Sequence, residues 1–220
     1  MAVDSAHRRI AQPRQRGRRR IEVFSPKLDR RISLSSYDLW RVWLMLEANP
    51  QVTTFCERPA YVEGRKGALI DFWVRLRGGA AAGEFWRIEE ASRAGAHEAD
   101  AVDARGSEAQ RLHGLPVRYV HQADLAAWSV PIANWGRIVP FLVAGRRFTD
   151  WKLQNAIEEF VTNPTTLDTV IERFCVHDGT AVETALYQLL ADGRVESHDV
   201  APLRRSVARP GFNAFEAPPW

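Results

Sequence analysis

Apolar residues recur at three- and four-residue spacing from Tyr37 to Glu47, where Leu39, Trp40, Trp43, Leu44 and Leu46 trace one stripe of a helix. Ser33 to Ser36 offer capping hydroxyls before it, and Asn49-Pro50 ends it. The period then shortens. Val52–Glu57, Ala68–Arg77 and Glu84–Glu90 read as strands, the second with Leu69, Phe72, Val74 and Leu76 on one face and Asp71, Trp73 and Arg75 on the other. Gly64 to Gly67 and Gly78 to Gly83 supply turns. Residues 97–113 suit a second helix and Leu115–Val120 a further strand, completing a helix–β–β–β–helix–β layer.

A second unit begins near residue 125. Asp124–Ala127, Trp135–Val143 and Lys152–Thr162 read as helices, and Asn163-Pro164-Thr-Thr caps another over Leu167–Phe174. Thr180–Ala191 follows a short turn, and Asp192-Gly193 opens a strand over Arg194–Val200. Helix, turn, helix and a Gly-initiated strand pair form the winged-helix pattern. Its recognition helix would be Thr180 to Leu190, which carries Glu183, no Lys or Arg, and Gln188 as its one residue suited to a base edge. It therefore suits a protein partner at least as well as DNA. Arg194, Arg204, Arg205 and Arg209 could reach phosphates from the wing and tail. The tail over 204–220 is expected to be extended.

Charge changes this picture at the N-terminus. Residues 1–31 hold ten basic side chains against three acidic ones, while the remainder holds twenty against twenty-four, a net −4. The basic excess is thus an arm over 1–31. Arg14, Arg16, Arg18, Arg19, Arg20, Lys27, Arg30 and Arg31 are its candidate phosphate contacts. A merely solvated tail is the competing reading. Nothing in the chain has the apolar length to span a bilayer, and no apolar run follows the first basic residues. A cytoplasmic protein without a membrane partner is expected. Cys56 and Cys175 lack metal-ligand spacing and read as core thiols, and the six histidines read as surface or capping groups. Trp40, Trp43, Trp73 and Trp86 read as core.

Several landmarks fall in an order that resembles the TnsA-type transposon endonuclease family. They are Phe24-Ser25-Pro26-Lys27, Leu46-Glu47-Ala48-Asn49-Pro50-Gln51-Val52, Glu57-Arg58-Pro59, Leu69-Ile70-Asp71-Phe72-Trp73-Val74 and Arg87-Ile88-Glu89. The resemblance covers roughly residues 15–200. It implies a restriction-endonuclease-like α/β domain of the PD-(D/E)xK kind over 32–124, then a mostly α winged-helix domain over 125–203. It also implies transposon-end DNA as substrate, and a DDE-type transposase subunit or an AAA+ regulator as partner.

Such nucleases hold Mg²⁺ or Mn²⁺ on converging carboxylates, with a Lys beside the attacking water. By the resemblance, Asp71 stands at the central metal-binding position. The two helix glutamates of the family fall on Ser35 and Leu39, with Asp38 turned about 100° away from the second. The family Glu/Gln falls on Arg87, and its Lys on Glu89. Three readings follow for this set. Asp71 and Glu89 hold a metal weakly; Asp71, Arg87 and Glu89 form a polar network with an Asp71–Arg87 ion pair; or Arg87 grips a DNA phosphate. The expected function is that of a TnsA-like, non-cutting transposition subunit without a cofactor. The alternatives are an active Mg²⁺-dependent endonuclease with a rearranged site, and a protein-binding regulator that never touches DNA.

Overall fold

The computed structural model describes residues 9–11, 20–62, 69–80, 82–89, 111–148, 150–161 and 165–197. The chain divides into two compact units. The first contains residues 1–23, 31–42 and 51–127, and the second 24–30, 43–50 and 128–220.

The first unit is built on a mixed five-stranded sheet. Its strands are β3 (Val52–Glu57), β4 (Phe72–Leu76), β5 (Glu84–Ile88), β6 (Arg111–Leu112) and β7 (Leu115–Val120), in the order β3-β4-β5-β7-β6. β3, β4 and β5 form an antiparallel meander, β5 pairs in parallel with β7, and β6 returns antiparallel along β7. A parallel pair demands a crossover of about a dozen residues or more, and the chain between Ile88 and Leu115 is long enough for one. The expected helix over 97–113 lies mostly outside the described residues, and its last turn is replaced by β6, since Arg111 and Leu112 pair with Pro116 and Leu115.

Both sheet faces are covered, so the strands are more continuously apolar than a half-exposed sheet requires. Cys56, Trp73, Phe85 and Val117 share one face, where Val62, Ile70 and Leu112 join them in a core. Phe55, Phe72 and Trp86 occupy the other face, with the two phenylalanine rings edge to face at 6.2 Å. Gly83 has a φ of +76°, and a Cβ there would lie 2.6 Å from the Trp73 indole nitrogen, so the β4–β5 turn closes directly over Trp73. The same unit contains α2 (Gln122–Ala127).

Two short strands lie inside the expected arm. β1 (Ile21–Ser25) and β2 (Arg30–Leu34) form a two-stranded sheet, so the arm as read from charge is too long by its last third. Apolar Ile32 and Leu34, both buried, account for this: charge dominates the segment's composition while alternation sets its structure. α1 (Tyr37–Ala48) follows, with Ser36 Oγ accepting the Leu39 N–H at its start. From Val42 to Ala48 every residue of α1 is buried, Glu47 included.

From residue 128 onward the second unit is built of helices: α3 (Ser129–Gly145), α4 (Trp151–Phe160), α5 (Leu167–Arg173) and α6 (Gly179–Ala191). α6 is the central helix, packed against α3, α4 and α5. Val182, Thr184, Ala185, Leu186, Tyr187, Leu189 and Leu190 are all buried. The expected recognition helix is therefore the core of its unit. The expected strand also fails over Arg194–Ser197, which is irregular, while 198–200 lie outside the described residues. Asp192-Gly193 instead ends α6. Gly193 takes a φ of +70° and donates to the Leu190 carbonyl, and Arg194 N–H donates to that of Leu189. This is the Schellman arrangement, which needs the same left-handed glycine as a tight hairpin turn. Among the described residues no helix is long and apolar enough to cross a membrane.

Candidate functional site

The alternation of β4 and the meander bring the expected nuclease positions to one end of the sheet, where β3, β5 and β7 finish and β4 begins. Asp71 immediately precedes β4 and Arg87 lies one residue beyond the Phe72–Trp86 pair. Asp71 Oδ2 accepts the Ile88 N–H at 2.8 Å, so the carboxylate closes the β4–β5 ladder where regular pairing stops. The Asp71 carbonyl meanwhile accepts the Arg58 N–H at 2.9 Å.

Arg87 turns to β7. It pairs in register with Tyr119, and its guanidinium carbon lies 5.9 Å from the Tyr119 ring centroid. The expected Asp71–Arg87 ion pair is not formed; a ring face in the neighbouring strand takes the cation instead. Glu89 is held elsewhere as well. Its Oε2 pairs with His121 Nδ1, and the His121 N–H donates to Asp124 Oδ2 at 2.8 Å. Asp38, the nearest carboxylate on α1, binds Arg41 at 3.4 Å and the Gln122 side chain at 3.0 Å.

These groups do not fit a divalent cation. Mg²⁺ and Mn²⁺ want several convergent oxygen donors, and each carboxylate here is directed at a different partner. Among the described residues no three His, Cys, Asp or Glu side chains group as metal ligands would. Arg87 adds a positive charge at the position where the resemblance would put a ligand.

A second polar cluster, which the sequence marked only through family landmarks, lies beside this sheet end. Glu57 is buried at the last position of β3, 3.7 Å from Arg9. Arg58 follows with a φ of +50° and donates to the carbonyls of Ser33 at 2.7 Å and Ile10 at 3.2 Å. Burial draws the pKa of this guanidinium down from its ordinary value, and Glu57 partly offsets the effect.

The arm candidates separate into three groups. Arg14, Arg16, Arg18 and Arg19 lie outside the described residues. Arg20 is half-exposed and pairs with Glu22 at 2.6 Å, and Arg30 and Arg31 belong to β2. Lys27 is committed to the protein: its Nζ donates to the carbonyls of Leu46 at 2.8 Å and Asn49. These are last-turn carbonyls of α1 and its cap, where a cation also meets the negative end of the helix dipole. Next to it, buried Glu47 accepts from Ser25 Oγ, from Lys27 N–H at 3.2 Å and from Trp43 Nε1 at 3.0 Å. Burial pushes the Glu47 carboxyl above its ordinary pKa, against the lowering effect of those donors.

In the second unit, Gln188 binds the Gln154 side chain at 2.7 Å, and Arg194 pairs with Glu158 and with Asn155 Oδ1 at 2.9 Å. Neither is presented as a DNA-reading group. Arg204, Arg205 and Arg209 lie outside the described residues. Cys56 is buried as expected, whereas Cys175 is exposed, because the turn after α5 carries it to the surface. Trp43, Trp73 and Trp86 are core residues, and Trp40 stacks on Tyr37 at 5.0 Å.

No family model, no curated protein and no solved structure matches the chain.

Proposed function

We propose that this chain is a TnsA-like subunit that binds DNA ends without cutting them and holds a transposase or AAA+ partner on them. The observation that carries the non-cutting part is the Asp71 carboxylate accepting the Ile88 N–H, with Arg87 on the adjoining β5 position. The residue that would anchor a metal thus serves the sheet. The meander followed by a parallel strand supports the nuclease-like class, since it sets the successive landmarks Glu57, Asp71 and Arg87 at one sheet end.

In this reading phosphate neutralisation falls to the basic first twenty residues, a choice that the burial of α6 supports. Titrating the full chain against its own element's end duplex over a salt series tests this. Deleting residues 1–20 is expected to flatten the slope of log K against log salt by about 0.9 for each phosphate that the arm neutralises. An unchanged slope, or no affinity for DNA in the full chain, sinks the reading.

A further inference from the structure

We propose that Arg146, Arg147, Phe148, Trp151 and Lys152, between α3 and α4, with Phe24 and Pro26 beside Arg146 and Arg147, form a binding site for single-stranded nucleic acid. It is separate from residues 1–20, since Phe24, Pro26 and the residues from Arg146 to Lys152 all belong to the second unit.

The connection joins α3 to α4 and is fixed at both ends. Arg146 Nη1 donates to the Val143 carbonyl at 2.6 Å, and Phe148 N–H donates to that of Gly145 at 2.8 Å. At the other end, Asp150 caps α4 by accepting the N–H groups of Lys152 at 3.0 Å and Leu153 at 3.2 Å. This framework leaves two large rings in water, Phe148 at 81% and Trp151 at 62% exposure. Single exposed apolar residues are ordinary; two aromatic rings interleaved with three cations on one short turn are a pattern.

The cations flank the rings along the chain, Arg146 and Arg147 before Phe148 and Lys152 after Trp151. Arg146 lies over Phe24 at 4.5 Å, 3.8 Å from Asp29, and Lys152 lies over the Trp151 ring at 5.7 Å. Arg147 and Lys152 form no ion pair among the described residues. An open cavity of about 470 Å³ is lined by Phe24, Pro26, Asp29, Arg146 and Arg147. Asp150 is engaged with two backbone N–H groups, and Arg146, Arg147 and Lys152 outnumber Asp29 and Asp150 around the turn.

Flat apolar faces beside an excess of cations match a chain of phosphates carrying bases. Phosphates take the guanidinium and ammonium groups, and bases stack on the rings. Bases in a duplex present edges, not faces, so the exposed rings favour a single strand.

The test uses the full chain and a labelled oligothymidine of about 20 nucleotides, longer than one site of this class. Fluorescence anisotropy should show binding that Phe148→Ala with Trp151→Ala weakens at least about tenfold, each stacked base being worth about fivefold or more. Phe148→Tyr with Trp151→Phe should restore it, which separates lost stacking from lost folding. Arg147→Gln with Lys152→Gln should lower the salt slope by about 1.4, at roughly 0.7 per phosphate on a single strand. No binding by the parent chain overturns the proposal. So does binding that the alanine variants leave intact, or that is lost only on removing residues 1–20. Loss of affinity for anionic vesicles in the same variants, with oligothymidine unbound, would transfer the site to a lipid surface. Binding to oligothymidine through this turn, with no affinity for duplex ends, would uphold this site and sink the end-binding reading.

Discussion

The Asp71 carboxylate accepts one backbone N–H at the mouth of a sheet, and its value to the fold can be separated from any value to chemistry. Asparagine retains an acceptor oxygen there, so Asp71→Asn should shift stability by less than about 1 kcal/mol. Asp71→Ala leaves the Ile88 N–H unsatisfied and should cost about 1–3 kcal/mol, read from urea midpoints. Glu47 gives a prediction in pH. Its pKa is raised in the folded chain above the ordinary 4.5, so the folded state binds more protons than the unfolded state above that pH. Stability from this group therefore falls as pH rises from 4.5 through the raised value. The urea midpoint of the parent chain, measured relative to Glu47→Gln, should decline across that window. A flat difference would contradict the burial that raises it. Lys27 and Glu47 were both visible in the sequence, as a candidate phosphate contact and a family landmark. Their joint work on the end of α1 was not visible, because it depends on a fold-back about twenty residues away.

At the scale of elements, periodicity was a better guide than composition. The pattern over Val52–Glu57 and Leu115–Val120 predicts those strands residue for residue, since buried β positions leave little freedom in register. It fails where one signal serves two structures. Asp192-Gly193 suits a hairpin or a helix end, and a sequence cannot show that Leu189 and Leu190 carbonyls are waiting for the next N–H groups. The pattern of α6 also understates its burial, because small residues conceal close packing. A Cβ on Gly145 would lie 2.1 Å from Thr184 Cγ2, which fixes how closely α3 and α6 approach. Gly145→Ala should thus destabilise the chain by about 1–3 kcal/mol through overpacking, and Thr184→Ser in the same chain should recover part of it. Equal melting of Gly145→Ala and the parent would show that α6 has room on that face, reopening its candidacy as an exposed reading helix. The basic-aromatic turn after α3 was hidden in the sequence for a related reason: Arg146, Arg147, Phe148, Trp151 and Lys152 look like the ends of two helices until their exposure is known.

For the whole molecule, charge and chemistry are distributed differently. The first thirty-one residues carry the cationic excess, the sheet end carries residues of both signs already engaged with other groups, and the second unit places Arg146, Arg147 and Lys152 on one turn. Four strands of the sheet were readable because the layer is periodic, whereas β6 and the order β3-β4-β5-β7-β6 were not. The expectation of a depleted metal site came one residue at a time from the resemblance, which puts Ser35, Leu39 and Arg87 at ligand positions and Glu89 at the position of a Lys. The partners those residues take instead, Tyr119 for Arg87 and His121 for Glu89, required three dimensions. The most direct measurement is incubation of the full chain with its element's end duplex and Mg²⁺ or Mn²⁺, with strand breaks scored on a denaturing gel beside Asp71→Asn. Bound but uncut DNA with both proteins is the predicted result. Metal-dependent cutting by the parent chain that Asp71→Asn abolishes would contradict it.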